Sequence, residues 1–148
     1  MKISIRDITS NGLDIEQNIP KEGIGLSDEE VDIKSLINVK AHIEKVNNFI
    51  VADTKIKAEF GYLCARCLED LYAKEERSYK FDFEVEPGTE YIDLGEEIRQ
   101  EIILANPPKI LCSEDCKGIC PQCGANLNKE KCKCKGDKKN ITLTIKEN

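Results

Sequence analysis

Eight cysteines in 148 residues, paired as Cys64 with Cys67, Cys112 with Cys116, Cys120 with Cys123, and Cys132 with Cys134, restrict this fold more than any other feature of the sequence. What they mean depends on the compartment. In a secreted domain they would read as four disulfides, whereas a reducing cytosol keeps thiols free and favours metal ligation. The opening Met1-Lys2-Ile3-Ser4-Ile5-Arg6-Asp7 is broken by charge before any apolar h-region develops, so no secretory signal is expected. Apolar runs such as 49–52 and 102–105 are four residues long, against about 20 needed to span a bilayer. The expected protein is cytoplasmic, with no membrane contact, and its cysteines read as metal ligands; disulfides or unconnected thiols are the competing reading.

Spacing then suggests which metal. Cys64 and Cys67 form a C-x2-C at the end of an alternating strand, where Leu68-Glu69-Asp70 turns the chain back. A tight turn there directs both sulfurs to one point, as tetrahedral zinc requires with Zn–S near about 2.3 Å. The alternative, a redox dithiol, usually lies at a helix N-terminus in a βαβ context. Cys120-Pro121-Gln122-Cys123-Gly124 has the form of a zinc knuckle, with Pro stiffening the turn and Gly accepting a positive φ. One helical turn would bring Cys112 and Cys116 to one side, and a strand would do the same for Cys132 and Cys134. Eight thiolates make two four-cysteine sites. The preferred partition joins Cys64, Cys67, Cys112 and Cys116 in one and Cys120, Cys123, Cys132 and Cys134 in the other; one local site with spare thiols is the alternative.

The rest of the chain reads as α+β: mainly antiparallel β-sheet with one covering helix and a C-terminal zinc-knuckle segment. A strand is expected over 2–8, then a loop with at most a short helical turn as far as residue 35. Ile37, Val39, Ala41 and Ile43 alternate with polar residues; so do Ile56, Ala58, Phe60 and Tyr62, after an apolar restart at 49–52, and Tyr79, Phe81, Phe83 and Val85. Asn47-Asn48 signals a turn. Asp93 with Glu96 resembles a capping box, and Leu94, Ile98, Ile102 and Ala105 recur at helical spacing until Pro107-Pro108. Ile141, Leu143 and Ile145 suggest a closing strand. The expected division is residues 1–110 as the β domain, with its helix near 93–105, and 111–148 as a cysteine-rich, zinc-binding segment with a basic tail.

Catalysis finds little support. His42 is the single histidine and falls on the polar face of a strand, which makes a solvated side chain the better reading than a general base or ligand. The 12 acids against 4 bases over 69–101 read as solvated faces. All-cysteine metal sites are normally closed and structural. No enzyme and no small-molecule substrate are therefore expected. Charge is divided unevenly: residues 1–108 carry 23 acids and 13 bases, a net of −10, and 109–148 carry 5 and 9, a net of +4, which sum to the chain's −6.

Cys64-Ala65-Arg66-Cys67-Leu68, a helix ending Glu101-Ile102-Ile103-Leu104-Ala105-Asn106-Pro107, and the stretch from Leu111-Cys112 through Cys116-Lys117-Gly118-Ile119-Cys120-Pro121-Gln122-Cys123-Gly124-Ala125-Asn126-Leu127-Asn128 to Cys132 and Cys134 together resemble the YceD family. These bacterial and plastid proteins are also called large ribosomal RNA subunit accumulation proteins. The resemblance covers roughly residues 36–134. It implies a ribosome-biogenesis role in the synthesis, processing or stability of 23S rRNA, without established enzymatic activity. Because family members differ in whether the last four-cysteine unit is complete, it also implies that Cys64, Cys67, Cys112 and Cys116 are the common site. The expected partner is 23S rRNA or a large-subunit assembly or processing protein. An acidic chain is a poor generic RNA binder, so RNA contact is expected only from the basic segment, at Lys129, Lys131, Lys133 and Lys135. The alternatives are a zinc-stabilised protein–protein adaptor using the acidic sheet, or a thiol redox or zinc sensor.

Overall fold

Apolar side chains at every second position draw the middle of the chain into an antiparallel sheet, seen in a computed structural model that describes residues 1–134. Strand β1 (Lys2–Ser4) is followed by a 3-10 turn (Ile5–Asp7), β2 (Leu13–Ile19), a second 3-10 turn (Lys21–Ile24), β3 (Ile37–Val46), β4 (Phe49–Leu63), β5 (Asp70–Glu84), β6 (Tyr91–Asp93) and helix α1 (Leu94–Leu104). The main sheet has the order β2-β3-β4-β5, and β1 pairs with β6 in a small second sheet. Cross-strand partners Val39↔Ile56, Ile43↔Ala52 and Ile50↔Phe83 stack one apolar face, as period-two alternation requires. Helix α1 buries Leu94, Ile98 and Ile102 in the same large hydrophobic cluster as that face, while Cys64, Cys67 and Cys116 form a second, small cluster with Leu71. Mainly antiparallel β-sheet with one helix is as expected. No helix among the described residues is long and apolar enough to cross a membrane.

Four details differ from the sequence reading. Residues 13–19, expected as loop, form β2, pairing Ile15 with Ala41 and Leu13 with Ile43. Leu13, Ile15 and Ile19 are half-buried and pack against the core; the alternation they make is short and is broken by the exposed Gln17. The expected opening strand over 2–8 stops at Ser4 and continues as the 3-10 turn. Strand β5 begins at Asp70 and not at Tyr79. Its first half gives no apolar alternation because Glu75 and Arg77 occupy positions on the core side. They are accommodated there because the Arg77 guanidinium lies 4.1 Å from the Phe60 ring centre, pairs with Glu75 Oε2 at 2.7 Å and donates to Tyr62 Oη at 3.1 Å. Tyr62 in turn donates to Glu75 Oε1 at 2.5 Å. Lastly, Asp93 Oδ1 caps α1 alone, accepting from the Gly95 and Glu96 N–H groups. The Glu96 carboxylate instead accepts from Arg99 and Gln100.

Strands β4 and β5 have 15 residues each, against 10 in β3. At about 3.4 Å per residue the hairpin is roughly 50 Å long and outreaches its neighbour. Its far end carries Cys64 and Cys67. The expected closing strand at Ile141, Leu143 and Ile145 lies outside the described residues.

Candidate metal centre

Strand β4 ends at Leu63, and the next residues form a tight knuckle. Leu68 N–H bonds the Cys64 carbonyl (3.0 Å), Cys64 N–H bonds the Glu69 carbonyl (2.9 Å), and Leu68 takes a left-handed φ of 57°. Both sulfurs consequently face the same side. After α1 the chain returns to this knuckle: Ala65 N–H bonds the Ile110 carbonyl at 2.8 Å, and Ile119 N–H bonds the Arg66 carbonyl at 3.0 Å. The Arg66 guanidinium binds the carbonyls of Glu114 (3.2 Å) and Cys116 (3.1 Å). Gly118 passes so close that a Cβ there would lie 2.9 Å from the Arg66 carbonyl oxygen, and its φ is +74°, a position that suits glycine alone.

This return places Cys112 and Cys116 beside Cys64 and Cys67, with all four sulfurs within 4.8 Å of one another. Cys64 and Cys116 Sγ are 3.8 Å apart, and Cys67 and Cys112 Sγ 3.6 Å. For Zn–S near 2.3 Å the edge of a tetrahedron is about 3.8 Å, so the donors fit a tetrahedral ion. Cys64, Cys67 and Cys116 are buried, and Cys112 is exposed. The N–H groups of Cys67, Arg66 and Cys112 hold the Cys64 thiol down to about 6, while burial pushes Cys67 up to about 12. The Cys116 thiol is also lowered, against its burial, by the Asn128 amide and the Gly118 N–H, and a bound cation would take the place of the remaining protons. The pair Cys112 and Cys116 meets through a turn closed by Cys116 N–H on the Ser113 carbonyl, not through the helical turn expected.

The second cluster is local. Cys120, Cys123, Cys132 and Cys134 also lie within 4.8 Å of one another, with Cys132 Sγ 3.2 Å from Cys120 Sγ and 3.7 Å from Cys123 Sγ. Gly124 has the expected positive φ, 72°. The N–H groups of Cys123 and Gln122 hold the Cys120 thiol down to about 6, and the neighbouring sulfurs of Cys132 and Cys123 push Cys134 up to about 12. Cys132 and Cys134 come together without a strand between them. Cys120 is buried, Cys123 is exposed and the other two are half-buried, so this cluster is the more open to solvent. Both groups contain the members that the preferred partition assigns them, and each can hold a metal ion.

Of the lysines singled out by sequence, Lys129 is paired: its Nζ lies 2.6 Å from Glu69 Oε2 at the foot of the knuckle. Lys131 and Lys133 line a shallow depression with Cys123, Gly124 and Glu130. Lys135 lies outside the described residues. His42 is on the outer face of the sheet, with Nδ1 2.7 Å from Asp14 Oδ1, opposite Asp53 on β4, and it belongs to neither cysteine cluster. Sequence reasoning missed Arg66, Glu69 and the interactions of the Asn126-Leu127-Asn128 loop. The Asn126 amide donates to Glu69 Oε1 (3.0 Å) and the Asn128 amide to Cys116 Sγ (3.3 Å). The asparagines stand out as a motif, but nothing in their spacing tells which sulfur or carboxylate they reach.

The family model described as large ribosomal RNA subunit accumulation protein YceD matches residues 52–144. Over 53 residues the chain is 42% identical to the large ribosomal RNA subunit accumulation protein YCED homolog 1, chloroplastic, of Arabidopsis thaliana, a match covering 36% of this chain and 16% of that protein. Over 122 residues it is 29% identical to uncharacterized proteins of Mycobacterium bovis and Mycobacterium tuberculosis, covering 72% of this chain and 59% of theirs. The match thus spans less than two thirds of each of these relatives. No solved structure matches the chain.

Proposed function

The chain belongs to the YceD family of large ribosomal RNA subunit accumulation proteins, and on that premise we propose that it is a cytoplasmic, non-catalytic factor supporting the synthesis, processing or stability of 23S rRNA, with one zinc ion in each cysteine cluster. The observation that carries this reading is that the matched region, residues 52–144, takes in α1 and all eight cysteines. Zinc is favoured because four thiolates leave no open position for substrate, the form of a structural zinc site. The chemistry supplied by such an ion is cross-linking: it would tie the hairpin tip to the chain that returns from α1.

Contact with RNA is assigned to the basic segment. The net charge of −10 on residues 1–108 opposes phosphate, whereas Lys131 and Lys133 lie between the second cluster's cysteines, with Lys129 and Lys135 close by in sequence. Depleting the protein should lower free large subunits and leave immature 23S ends; a normal ribosome profile would refute the role. Changing Lys129, Lys131, Lys133 and Lys135 to Gln should weaken binding to a 23S fragment and flatten its salt dependence, the slope of log K against log salt falling by roughly 0.7–0.9 for each phosphate no longer neutralised. Ion identity is read by native mass spectrometry and visible absorption, where an iron–sulfur spectrum would overturn zinc. A second reading, an adaptor for a basic assembly or processing protein, draws on the 12 acids against 4 bases over 69–101. Unchanged RNA affinity in the lysine variant, with association lost on reversing Glu84 and Glu86, would select it.

A further inference from the structure

The loop between the two cysteine pairs of the second cluster does not merely connect them. Its Leu127 N–H bonds the Gly118 carbonyl at 2.9 Å, and Ile119 bridges to Asn126, so the loop folds back over the first cluster. Asn128 is fixed at both ends of its side chain: Oδ1 accepts from the Lys117 N–H at 2.8 Å and Nδ2 donates to Cys116 Sγ at 3.3 Å. Asn126 Oδ1 accepts from the Asn128 N–H at 3.0 Å, while its amide and Lys129 Nζ occupy the two oxygens of Glu69, which immediately precedes β5. Asn126 lies three residues after Cys123, whose turn from Cys120 is closed by Gly124 N–H on the Cys120 carbonyl and Cys120 N–H on the Ala125 carbonyl. Asn128 lies four residues before Cys132. The backbone that carries Asn128 is therefore chain that the second cluster would gather.

We propose that the two metal centres are coupled through this loop: an ion in the second cluster holds Asn128 on Cys116 and thereby tightens the first, and Asn128 is the positioning residue that transmits the effect. An N–H donor on a ligating sulfur stabilises its negative charge and fixes its direction, and losing such a partner typically costs about 10–100-fold in metal affinity. The coupling is reciprocal, because a change in one site's affinity caused by the other must equal the converse. The more exposed second cluster then acts as the sensing end. A chelator or oxidant that reaches Cys123 first loosens the buried site without touching it.

The inference rests on both clusters being metal sites, and the test separates the two ideas. Zinc is titrated under native mass spectrometry with a competing chelator, on the full chain and on a Cys132→Ser/Cys134→Ser variant, each with and without Asn128→Asp. That substitution keeps the shape and the acceptor for Lys117 but removes the donor to Cys116. In the full chain, Asn128→Asp should lower the overall two-ion constant about 10–100-fold, and Asn128→Ala at least as much. In the Cys132→Ser/Cys134→Ser background the same change should cost clearly less, because the loop then loses the hold of the second cluster and keeps only its bonds to Gly118, Lys117 and Glu69. Equal losses in both backgrounds, or none in either, would refute the coupling while two ions still bind. A chain that binds no zinc would refute the metal reading itself.

Discussion

Replacing Cys67 with Ser should destabilise the protein more than replacing Cys132, by an amount that loop length sets. The first cluster joins Cys67 to Cys112, 45 residues apart, and the second joins Cys123 to Cys132, 9 apart. Closing a flexible loop costs about (3/2)RT ln n, so the fivefold ratio makes the first cross-link worth about 1.4 kcal/mol more in unfolded-chain entropy. Burial acts in the same direction, since Cys67 is 4% exposed and Cys132 is half-buried. For a chain of this size the difference corresponds to roughly 3–6 °C in the unfolding midpoint. The assay is thermal unfolding by circular dichroism on zinc-loaded Cys67→Ser and Cys132→Ser, with native mass spectrometry confirming that each lacks one ion. Equal midpoints, or a larger loss for Cys132→Ser, would refute the reasoning, because the longer loop would then not be the one that matters.

Three further outcomes follow from the geometry. Phe60→Ala removes a fully buried ring that also lies under Arg77 and should cost about 3–5 kcal/mol in urea unfolding. His42 has its imidazolium favoured by the hydrogen bond to Asp14, which raises its pKa. The stability from this pair is therefore present below the unfolded-state value of about 6.5 and is lost as pH rises through the higher folded value. Titration of the His42 ring by NMR should show the elevation, and Asp14→Asn should remove most of it, leaving the smaller effect of Glu44 and Asp53. Chelation should strip hydrogen-exchange protection from the Cys64, Ala65 and Leu68 amides and from the loop following Cys116, yet leave the β3 and β4 amides protected, because the hydrophobic cluster around Ile43, Ile56 and Ile98 contains no cysteine.

The parts of the fold that are legible in the sequence are those in which one residue's environment repeats. Ile37, Val39, Ala41 and Ile43, and Leu94, Ile98 and Ile102, meet the same core at every period, so β3 and α1 stand out. Strand β2 is hard to read because it sits at the sheet edge and its alternation of Leu13, Ile15 and Ile19 is interrupted by the exposed Gln17. The first half of β5 is hidden because Arg77 and Glu75 satisfy each other through a pairing that only the register of β4 against β5 creates. The cysteine clusters are readable because sulfur ligands are rare residues at short spacing. Their supports are not: Glu69, Asn126 and Lys129 are brought together over 57 and 60 residues of separation, and polar side chains at such distances carry no sequence period.

The return of the chain to the hairpin tip also orders events during synthesis. Cys67 is made 49 residues before Cys116, as 116 minus 67 shows, and β5, β6 and α1 lie between them. At about 5–20 residues per second, the knuckle thiols wait roughly 2–10 s for their partners. During that interval the hairpin tip is half a site, with two ligands out of four. The first cluster can therefore be completed only after the sheet and its helix have been translated, so an ion held there would be captured late, and the nascent chain has a window in which its earliest thiols stand without their partners.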